Sequence, residues 1–327
     1  DFIGGSQPIH NENKDVWVTF NGEIFNYIEL TRDLAGRGHR FYIQSDTEVI
    51  VHLYEEYGDD FVNHLNGQFA LALWDAKRHR LLLARDRVGI RPLFYTESDG
   101  RLLFASEIKA LFAIPSVPRR LDTTALAEIA TFWAPLASRS AFAGISSLPP
   151  GHCLIIERER RYLQPYWDWV FPDALPSLRR REEDYAEELK ALLIDAVRLQ
   201  LRADVPVGAY LSGGLDSSII ATIIRRYSST PLRTFSLTFE DSEFDESAQQ
   251  QQMSAALGTK HTSVRCRRSD IATLFPATIC HAETPIVRTA PTPLMLLSRH
   301  VRESSFKVVL TGEGADEVFG GYDLFKE

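Results

Sequence analysis

Residues 210–218 constrain the fold more than any other stretch of the sequence. They read Tyr-Leu-Ser-Gly-Gly-Leu-Asp-Ser-Ser and lie between the short apolar run 205–209 and the apolar run 219–224. The first run predicts a β-strand and the second predicts the buried face of a helix. Two adjacent glycines allow a positive φ and a close approach of the backbone to a ligand. The sequence therefore predicts a strand, a glycine-rich turn and a helix, which is a unit of α/β folds.

This turn has the composition of an anion site. Ser212, Ser217 and Ser218 offer hydroxyl groups, and the start of the helix offers unpaired N–H groups and the positive end of its dipole. Such a site suits phosphate or pyrophosphate. Asp216 would repel the anion unless a cation lay between them, so it indicates bound Mg²⁺. An ordinary strand-to-helix turn capped by Ser or Asp is the alternative.

The turn is not the common kinase-type phosphate loop, because no Gly-Lys-Ser/Thr follows. It resembles instead the pyrophosphate loop of the ATP pyrophosphatases, which release pyrophosphate and leave AMP on a substrate.

Strands and helices alternate from residue 182 onwards. Helix 182–202 is amphipathic, and the strands predicted at 232–239, 261–264 and 307–310 alternate with helices. This order predicts a parallel, doubly wound sheet, whose ligands lie beyond the carboxyl ends of the strands. The glycine loop, Leu237 and Thr311-Gly312 all lie at such ends, so we expect them to converge on one crevice.

Three acids follow the last of these strands. Glu313, Asp316 and Glu317 stand beside a Gly-x-Gly turn, so they suit either Mg²⁺ or a cationic group such as an α-ammonium. Capping of the following helix explains one of them well, but not three.

Residues 1–112 predict an antiparallel, β-rich layer with two helices. A strand at 16–20 is expected to end in Asn21-Gly22-Glu23, for which a tight hairpin turn is the simplest interpretation. Helical spacing from Tyr27 onwards weakens that interpretation, because no return strand follows at once. An exposed Asn side chain beside a backbone N–H could then hold an oxyanion.

Ser45-Asp46-Thr47-Glu48 predicts a capping box that opens a helix ending near Tyr57. An acid in the first turn of a helix is stabilised by the helix dipole, which explains Asp46 without a ligand. A ligand role for Asp46 therefore stays open at this point.

Two later stretches are interpreted as structural. Arg85-Asp86-Arg87 predicts a salt-bridged surface loop, and His152 is interpreted as a turn residue. Residues 159–181 show no hydrophobic period, which indicates a linker between domains. The expected domains are 1–160 and 182–327, with the linker at 161–181.

Composition excludes several classes of protein. The chain has 327 residues, which suffices for two domains, and 44% of them are hydrophobic. Its net charge of −8 and the absence of a basic tract argue against a nucleic-acid partner. No apolar run approaches the ~20 residues of a membrane span. Three cysteines (Cys153, Cys266 and Cys280) are too scattered for a disulfide framework or a metal site, so a cytoplasmic location is expected.

Taken in order, these motifs resemble the glutamine-dependent asparagine synthetases of the bacterial type, and the resemblance covers nearly the whole chain. The matching segments are 5–8, 20–27, 45–50, 66–70, 85–87, 92–93, 106–109, 148–151, 212–218, 310–317 and 320–322.

The resemblance implies an antiparallel β-sandwich flanked by helices, as in the N-terminal-nucleophile glutaminases, followed by the doubly wound ATP-pyrophosphatase domain. In the first domain it implies that Asn21 and Gly22 are catalytic residues of an oxyanion hole. Glu23 and Asp46 would hold the α-amino end of glutamine.

In the second domain the resemblance implies an ATP site with Mg²⁺ held through pyrophosphate at Asp216. Glu313, as a catalytic residue, and Asp316 would serve aspartate and the β-aspartyl-AMP step. Ammonia from the first site would pass through the protein and attack that adenylate. The implied ATP-binding residues are Leu211, Ser212, Gly213, Gly214, Asp216, Ser217, Leu237, Thr311 and Gly312.

The sequence departs from the family pattern at both ends. The family nucleophile is an N-terminal cysteine whose α-amino group acts as base, whereas residue 1 here is Asp. An arginine for glutamine and a catalytic lysine of the synthetase domain also lie outside the sequence. A fragment lacking the nucleophile is therefore expected.

Two other functions stay open from the sequence. One is an amidotransferase or cyclase that acts on another carboxylate, and the other is a non-catalytic binding protein. A homodimer is a further open expectation.

Overall fold

The computed structural model describes residues 5–158, 160–171, 181–228 and 231–322. They form two compact units. The amino-terminal unit comprises the described residues within Asp1–Leu175 together with Ala282–Val287. The carboxy-terminal unit comprises those within Pro176–His281 and Arg288–Glu327. Among the described residues, no helix combines the length and the apolar character needed to cross a membrane.

The amino-terminal unit contains two antiparallel sheets. Its strands are β1 (Ile9–His10), β2 (Val16–Ile24), β3 (Gly67–Asp75), β4 (Arg80–Arg85), β5 (Phe94–Ser98), β6 (Arg101–Ala105), β7 (Ser146–Ser147), β8 (His152–Glu157) and β9 (Arg160–Pro165). One sheet has the order β1-β2-β3-β4-β8-β9 and the other the order β6-β5-β7. The helices are α1 (Tyr27–Gly36), α2 (Glu48–Tyr57), α3 (Ile108–Leu111) and α4 (Thr123–Phe132), with a 3₁₀ helix at Gly58–His64.

Strand β3 lies at the centre of this unit. Residues 69–73 are all buried, so both faces of the strand are covered. The doubly apolar runs at residues 70–74 and 80–84 predicted strands buried from two sides, and the structure places them in the adjacent strands β3 and β4. Strand β9 extends the sheet into the segment interpreted as a linker. Residues 172–180 of that segment lie outside the described residues.

The predicted end of strand β2 is wrong. Asn21, Gly22 and Glu23 continue the strand to Ile24 and pair with β3. A Cβ on Gly22 would lie 2.0 Å from the backbone oxygen of Gln68, and one on Gly67 would lie 2.3 Å from that of Glu23. Two glycines on facing strands therefore allow a close approach that local turn propensity does not reveal.

The predicted capping box at the start of α2 is also wrong. The helix begins at Glu48, and the side-chain oxygen of Ser45 accepts a hydrogen bond from the N–H of Thr47. The carboxylate of Glu48 is fully buried and accepts hydrogen bonds from the N–H groups of Tyr42 and Ile43, each at 2.9 Å. Glu48 therefore anchors the loop before the helix, because those amides have no strand partner.

The surface salt bridge predicted at Arg85-Asp86-Arg87 is wrong for its first two residues. Asp86 is 1% exposed, and its two carboxylate oxygens accept hydrogen bonds from four backbone amides. The donors are Phe69, Val88, Ile90 and Arg91, at 2.9–3.2 Å.

Arg85 makes the complementary set of contacts. Its guanidinium donates to the backbone oxygens of Gly89, Arg91 and Leu148, at 2.7–2.8 Å. Burial lowers the pKa of Arg85, although the charge of Asp86 opposes the shift. The two charges thus satisfy the backbone of a buried turn.

The carboxy-terminal unit is a parallel α/β layer. Its elements are α5 (Glu182–Gln200), β10 (Val207–Tyr210), α6 (Leu215–Tyr227), β11 (Arg233–Phe239), α7 (Ser247–Leu257), β12 (Lys260–Cys266), α8 (Arg268–Ala282), α9 (Pro291–Glu303), β13 (Val308–Leu310) and α10 (Ala315–Phe319). The strand order is β12-β11-β10-β13, and all pairs are parallel.

Helices cover both faces of this sheet. Helices α5 and α6 pack with Ala209 and Leu211 in one core cluster. Helix α9 contributes Leu297 and Val301 to a second cluster around Phe235. The predicted doubly wound fold is therefore confirmed.

We predict that Asp86→Asn destabilises the amino-terminal unit by about 3 kcal/mol, because one carboxylate oxygen that accepts two amide hydrogen bonds becomes an NH₂ group. All five tryptophans lie in this unit, so urea unfolding followed by tryptophan fluorescence reports on it alone. The control is Asp99→Asn at an exposed turn whose positive φ suits Asn. Equal unfolding midpoints for the two variants would contradict the assignment.

Candidate functional site

A cavity of about 320 Å³ opens at the carboxyl ends of β10, β11 and β13. The three strands are neighbours in a parallel sheet, so their ends meet at one edge. The structure thus brings together the residues that the sequence placed at these ends. Its lining includes Leu211, Ser212, Asp216, Ser217, Leu237, Thr311 and Gly312.

Hydrogen bonds within the glycine loop hold its shape. The side-chain oxygen of Ser217 accepts from the N–H of Ser212 at 3.1 Å and lies 2.9 Å from the Ser212 hydroxyl. The Ser212 hydroxyl in turn accepts from the N–H of Gly214 at 3.2 Å. The loop is therefore formed in advance, and helix α6 begins directly after Gly214.

Two glycines are required by geometry. Gly213 has φ +91°, and a Cβ there would lie 2.8 Å from the Cβ of Gln249. A Cβ on Gly312 would lie 2.7 Å from the Cβ of Asp216 and 3.1 Å from the N of Ser217. The turn after β13 therefore packs directly against the first turn of α6. Gly213 and Gly214 shape the loop without lining the cavity.

The charge of the cavity is one-sided. Its lining residues include five acids and neither lysine nor arginine, and all of them belong to the described part of the chain. The acids are Asp216, Glu246, Glu313, Asp316 and Glu317. A polyanion would be repelled here unless cations accompanied it. Part of the lining is apolar, from Phe235, Leu237, Phe239, Phe244, Leu294 and Leu297.

One of the three acids around α10, Glu317, makes a hydrogen bond within the protein. The carboxylate of Glu317 accepts a hydrogen bond from the Tyr322 hydroxyl at 2.6 Å, and this bond lowers the pKa of Glu317. Glu313 is exposed and Asp316 is half-buried, and both line the cavity. Both carboxylates thus contribute negative charge to the lining of the cavity.

Gln250 is a lining residue that sequence reasoning missed. It is 4% exposed and its side-chain amide donates to the backbone oxygen of Leu237 at 2.9 Å. Its Oε1 has no hydrogen-bond partner among the described residues. A buried acceptor of this kind suits a donor on a bound ligand. The signal in the sequence was weak, because Gln250 lies in a run of four glutamines.

In the amino-terminal unit, the end of β2 and the start of α2 are joined by one hydrogen bond. The N–H of Ile24, the residue after Glu23, donates to Asp46 Oδ2 at 2.8 Å. This bond holds Asp46 at the end of β2. Burial raises the pKa of Asp46, although this hydrogen bond opposes the shift. The side-chain amide of Asn21 donates to the hydroxyl of Ser106 at 3.1 Å. These contacts fix the candidate glutamine residues at one end of β2.

The cysteines are not arranged as nucleophiles. Cys153 and Cys266 are buried, and burial raises the pKa of both thiols, that of Cys153 to about 12. Cys280 is exposed on α8. A reactive thiol needs a lowered pKa, so the buried pair serve packing.

Two family models match nearly the whole chain. Residues 1–167 match the model described as a glutamine amidotransferase domain, and residues 188–327 match the one described as asparagine synthase. The chain therefore belongs to the family of proteins with a glutamine amidotransferase domain followed by an asparagine synthase domain.

Curated relatives agree with this membership. The amidase chyE of Penicillium rubens is 37% identical over 99% of this chain and 50% of its own length. The glutamine-hydrolyzing asparagine synthetase 3 of Bacillus subtilis is 36% identical over 99% of this chain and 55% of its own length. Asparagine synthetase 1 of the same organism is 33% identical over 100% of this chain and 51% of its own length. The chain thus spans about half the length of the curated relatives it matches.

We predict that Gly312→Ala destabilises the carboxy-terminal unit by about 1–3 kcal/mol, because the added methyl group meets backbone atoms of α6. Thermal unfolding followed by far-ultraviolet circular dichroism should show the loss, while the tryptophan transition of the other unit stays in place. In the control Gly214→Ala, the methyl group would meet only the Ser212 hydroxyl, at 3.3 Å. A shift of the tryptophan transition instead would contradict this packing.

Proposed function

We propose that this chain belongs to an enzyme that amidates aspartate to asparagine, with glutamine as nitrogen donor and ATP as energy source. One observation carries the proposal. The glycine loop, the end of β11 and the Thr311-Gly312 turn converge on one cavity whose lining includes five acids. The family membership supports the same pairing of glutamine chemistry with a synthetase.

The ATP step follows from the loop. A carboxylate is a poor electrophile, so the acceptor must first be activated. Its oxygen would attack the α-phosphorus of ATP, pyrophosphate would leave, and a β-aspartyl adenylate would form. The N–H groups at the start of α6 and the hydroxyls of Ser212 and Ser217 suit the departing pyrophosphate. The apolar side of the cavity suits the adenine base.

Magnesium fits this site on the chemistry of its donors. Asp216 offers a hard carboxylate in the first turn of α6, and the lining contains no cationic side chain that could neutralise phosphate. Mg²⁺ would be held by Asp216 and by the phosphates of the substrate. When bound it would neutralise the charge of the leaving pyrophosphate.

Glu313 and Asp316 would hold the acceptor. Both residues line the cavity, and their carboxylates suit the α-ammonium of aspartate. Ammonia derived from glutamine would then attack the activated carbonyl and release AMP. Glu313 contacts the bound acceptor in this scheme, so we assign it a catalytic role.

Glutamine would bind at the end of β2. Asn21 and the N–H of Gly22 would stabilise the oxyanion that forms at the amide carbonyl. Glu23 and Asp46 would hold the α-ammonium. Burial disfavours the charged form of Asp46 in the free protein, and a bound cation would offset that cost.

A second acceptor is favoured by one observation. A relative at 37% identity is named an amidase rather than an asparagine synthetase. The same cavity would then activate a different carboxylate, and the glutamine site would be unchanged. Release of pyrophosphate on addition of aspartate distinguishes the two acceptor hypotheses, because an enzyme with another acceptor would not respond to aspartate.

The remaining expectations stay proposals. A net charge of −8 without a basic tract supports the expectation that no nucleic acid is bound. A cytoplasmic location is expected from the scattered cysteines. A homodimer stays an open expectation, which sedimentation equilibrium would test.

We predict that Asp216→Asn abolishes ATP-dependent release of pyrophosphate in the protein as its gene encodes it, because the substrate phosphates lose their protein-bound cation. Hydrolysis of glutamine should persist, because the amino-terminal unit is unchanged, and far-ultraviolet circular dichroism checks that the carboxy-terminal unit is folded. A coupled pyrophosphate assay and a glutamate assay provide the two readouts. Normal synthesis by the variant would refute the Mg²⁺ assignment.

We predict that Asn21→Ala weakens glutamine hydrolysis by about 2.7–4 kcal/mol of transition-state stabilisation, as for other oxyanion donors. Synthesis from free ammonia should survive, because the carboxy-terminal unit is unchanged. The matched control is Asn63→Ala, an exposed residue whose side chain bonds only to Asp60. Parallel loss of both activities would point to misfolding and not to an oxyanion hole.

A further inference from the structure

Four metal-binding side chains meet in the amino-terminal unit, away from the residues assigned to glutamine. They are Glu12 in the turn between β1 and β2, His39 after α1, and His52 and Glu55 on α2. One donor atom from each lies within 4.8 Å of the other three. The asparagine synthesis proposed above does not use any of these residues.

We propose that Glu12, His39, His52 and Glu55 form a zinc site.

The distances fit a tetrahedral ion. Zinc bonds of 2.0–2.2 Å to nitrogen and oxygen place tetrahedral donors about 3.4 Å apart. His52 Nδ1 lies 3.1 Å from Glu55 Oε2 and 3.5 Å from Glu12 Oε2. His39 Nδ1 lies 3.6 Å from Glu55 Oε2 and 3.8 Å from Glu12 Oε1. Small shifts of partly exposed side chains would complete the tetrahedron.

The second nitrogen of each imidazole faces a further carboxylate. His39 Nε2 lies 3.1 Å from Glu56 Oε1, and His52 Nε2 lies 3.5 Å from Glu48 Oε1. This leaves the Nδ1 lone pairs directed at the cluster. Histidine ligands of metals almost always have such a partner, which fixes the tautomer and the ring orientation.

The two carboxylate ligands are also held from behind. Glu12 Oε1 accepts a hydrogen bond from the N–H of Arg40 at 2.7 Å. Glu55 Oε1 accepts one from the side chain of Asn11 at 2.7 Å. Glu12, His39 and Glu55 thus each have a hydrogen-bonded outer partner, and His52 Nε2 lies close to the Glu48 carboxylate without a hydrogen bond.

The charges favour a divalent cation. Four carboxylates surround two imidazoles, and the guanidinium of Arg37 contacts only the outer carboxylate among them, that of Glu56, at 3.2 Å. The cluster therefore has a strongly negative potential. Two imidazole donors select zinc over magnesium, which prefers oxygen.

The site would be structural. Four protein ligands close the coordination sphere and leave no open position for a substrate. The ion would join the turn after β1, the segment after α1 and the helix α2. Glu48, which faces His52, also holds the amides of Tyr42 and Ile43 just before Asp46. Bound zinc would thus stabilise the loop that leads to the candidate glutamine site.

The test is zinc binding by the chelator-treated full chain, measured by competition with a chromophoric chelator in excess Mg²⁺. We expect one Zn²⁺ per chain, and we expect Co²⁺ to give the intense visible absorption of tetrahedral coordination. His39→Asn and Glu12→Gln should each weaken binding by at least about 100-fold, and Glu56→Gln by about 10–100-fold. The matched control is His79→Asn at an exposed turn with positive φ, and it should bind like the parent chain.

A second readout covers a variant that folds poorly. Zn²⁺ should raise the midpoint of the tryptophan-monitored unfolding transition of the parent chain and of His79→Asn, but not that of His39→Asn. Absence of saturable zinc binding would overturn the proposal and leave the cluster as a network of contacts between imidazoles and carboxylates. Binding that survives both His39→Asn and Glu12→Gln would overturn it as well.

Discussion

The parallel pairing of β10 with both β11 and β13 is the constraint on which the candidate active site depends. It brings three chain segments that are far apart in sequence to one edge of the sheet. Gly312 then packs against the first turn of α6, and no larger residue fits there without moving the backbone. The position of the acids after β13 relative to the glycine loop is thus fixed by backbone contact. A reaction between a phosphate anhydride and a carboxylate needs this kind of fixed relation.

In the amino-terminal unit, buried carboxylates hold loops in shape. Asp86 and Glu48 are both nearly inaccessible, and each accepts hydrogen bonds from backbone amides that have no partner in a strand or helix. Their charges hold two loops in shape. Glu48 also faces His52, so the loop before α2 is coupled to the cluster assigned to zinc. Asp46 thus lies just before α2, and two of the proposed metal ligands, His52 and Glu55, lie on that helix.

Much of the fold could be predicted from the sequence because its signals are local. The apolar run before the glycine loop, the helix after it and the alternating pattern beyond residue 182 are periodic, and the structure confirms the parallel sheet they imply. The expected convergence of Leu237 with the loop followed from a rule about parallel strands. The motif residues at β2 and α2 were identified by resemblance to a family.

The failures have a common physical cause. Asn21-Gly22 has turn propensity, but close pairing with Ala70 and Phe69 keeps it in a strand. Ser45 and Glu48 have the spacing of a capping box, but Glu48 accepts instead from the amides of Tyr42 and Ile43 in the preceding loop. Gln250 and the Glu12–His39–His52–Glu55 cluster depend on contacts between segments far apart in sequence. Such long-range contacts leave no periodic mark in a single sequence.

The central claim is that the carboxy-terminal unit activates a carboxylate by transferring AMP to it. The most direct measurement uses aspartate labelled with ¹⁸O in its side-chain carboxylate, supplied with ATP and glutamine to the protein as its gene encodes it. Attack of that oxygen on the α-phosphorus predicts one ¹⁸O atom in the AMP that is released, seen by mass spectrometry. Label in inorganic phosphate, with ADP as the other product, would contradict the account, because it would show activation through an acyl phosphate.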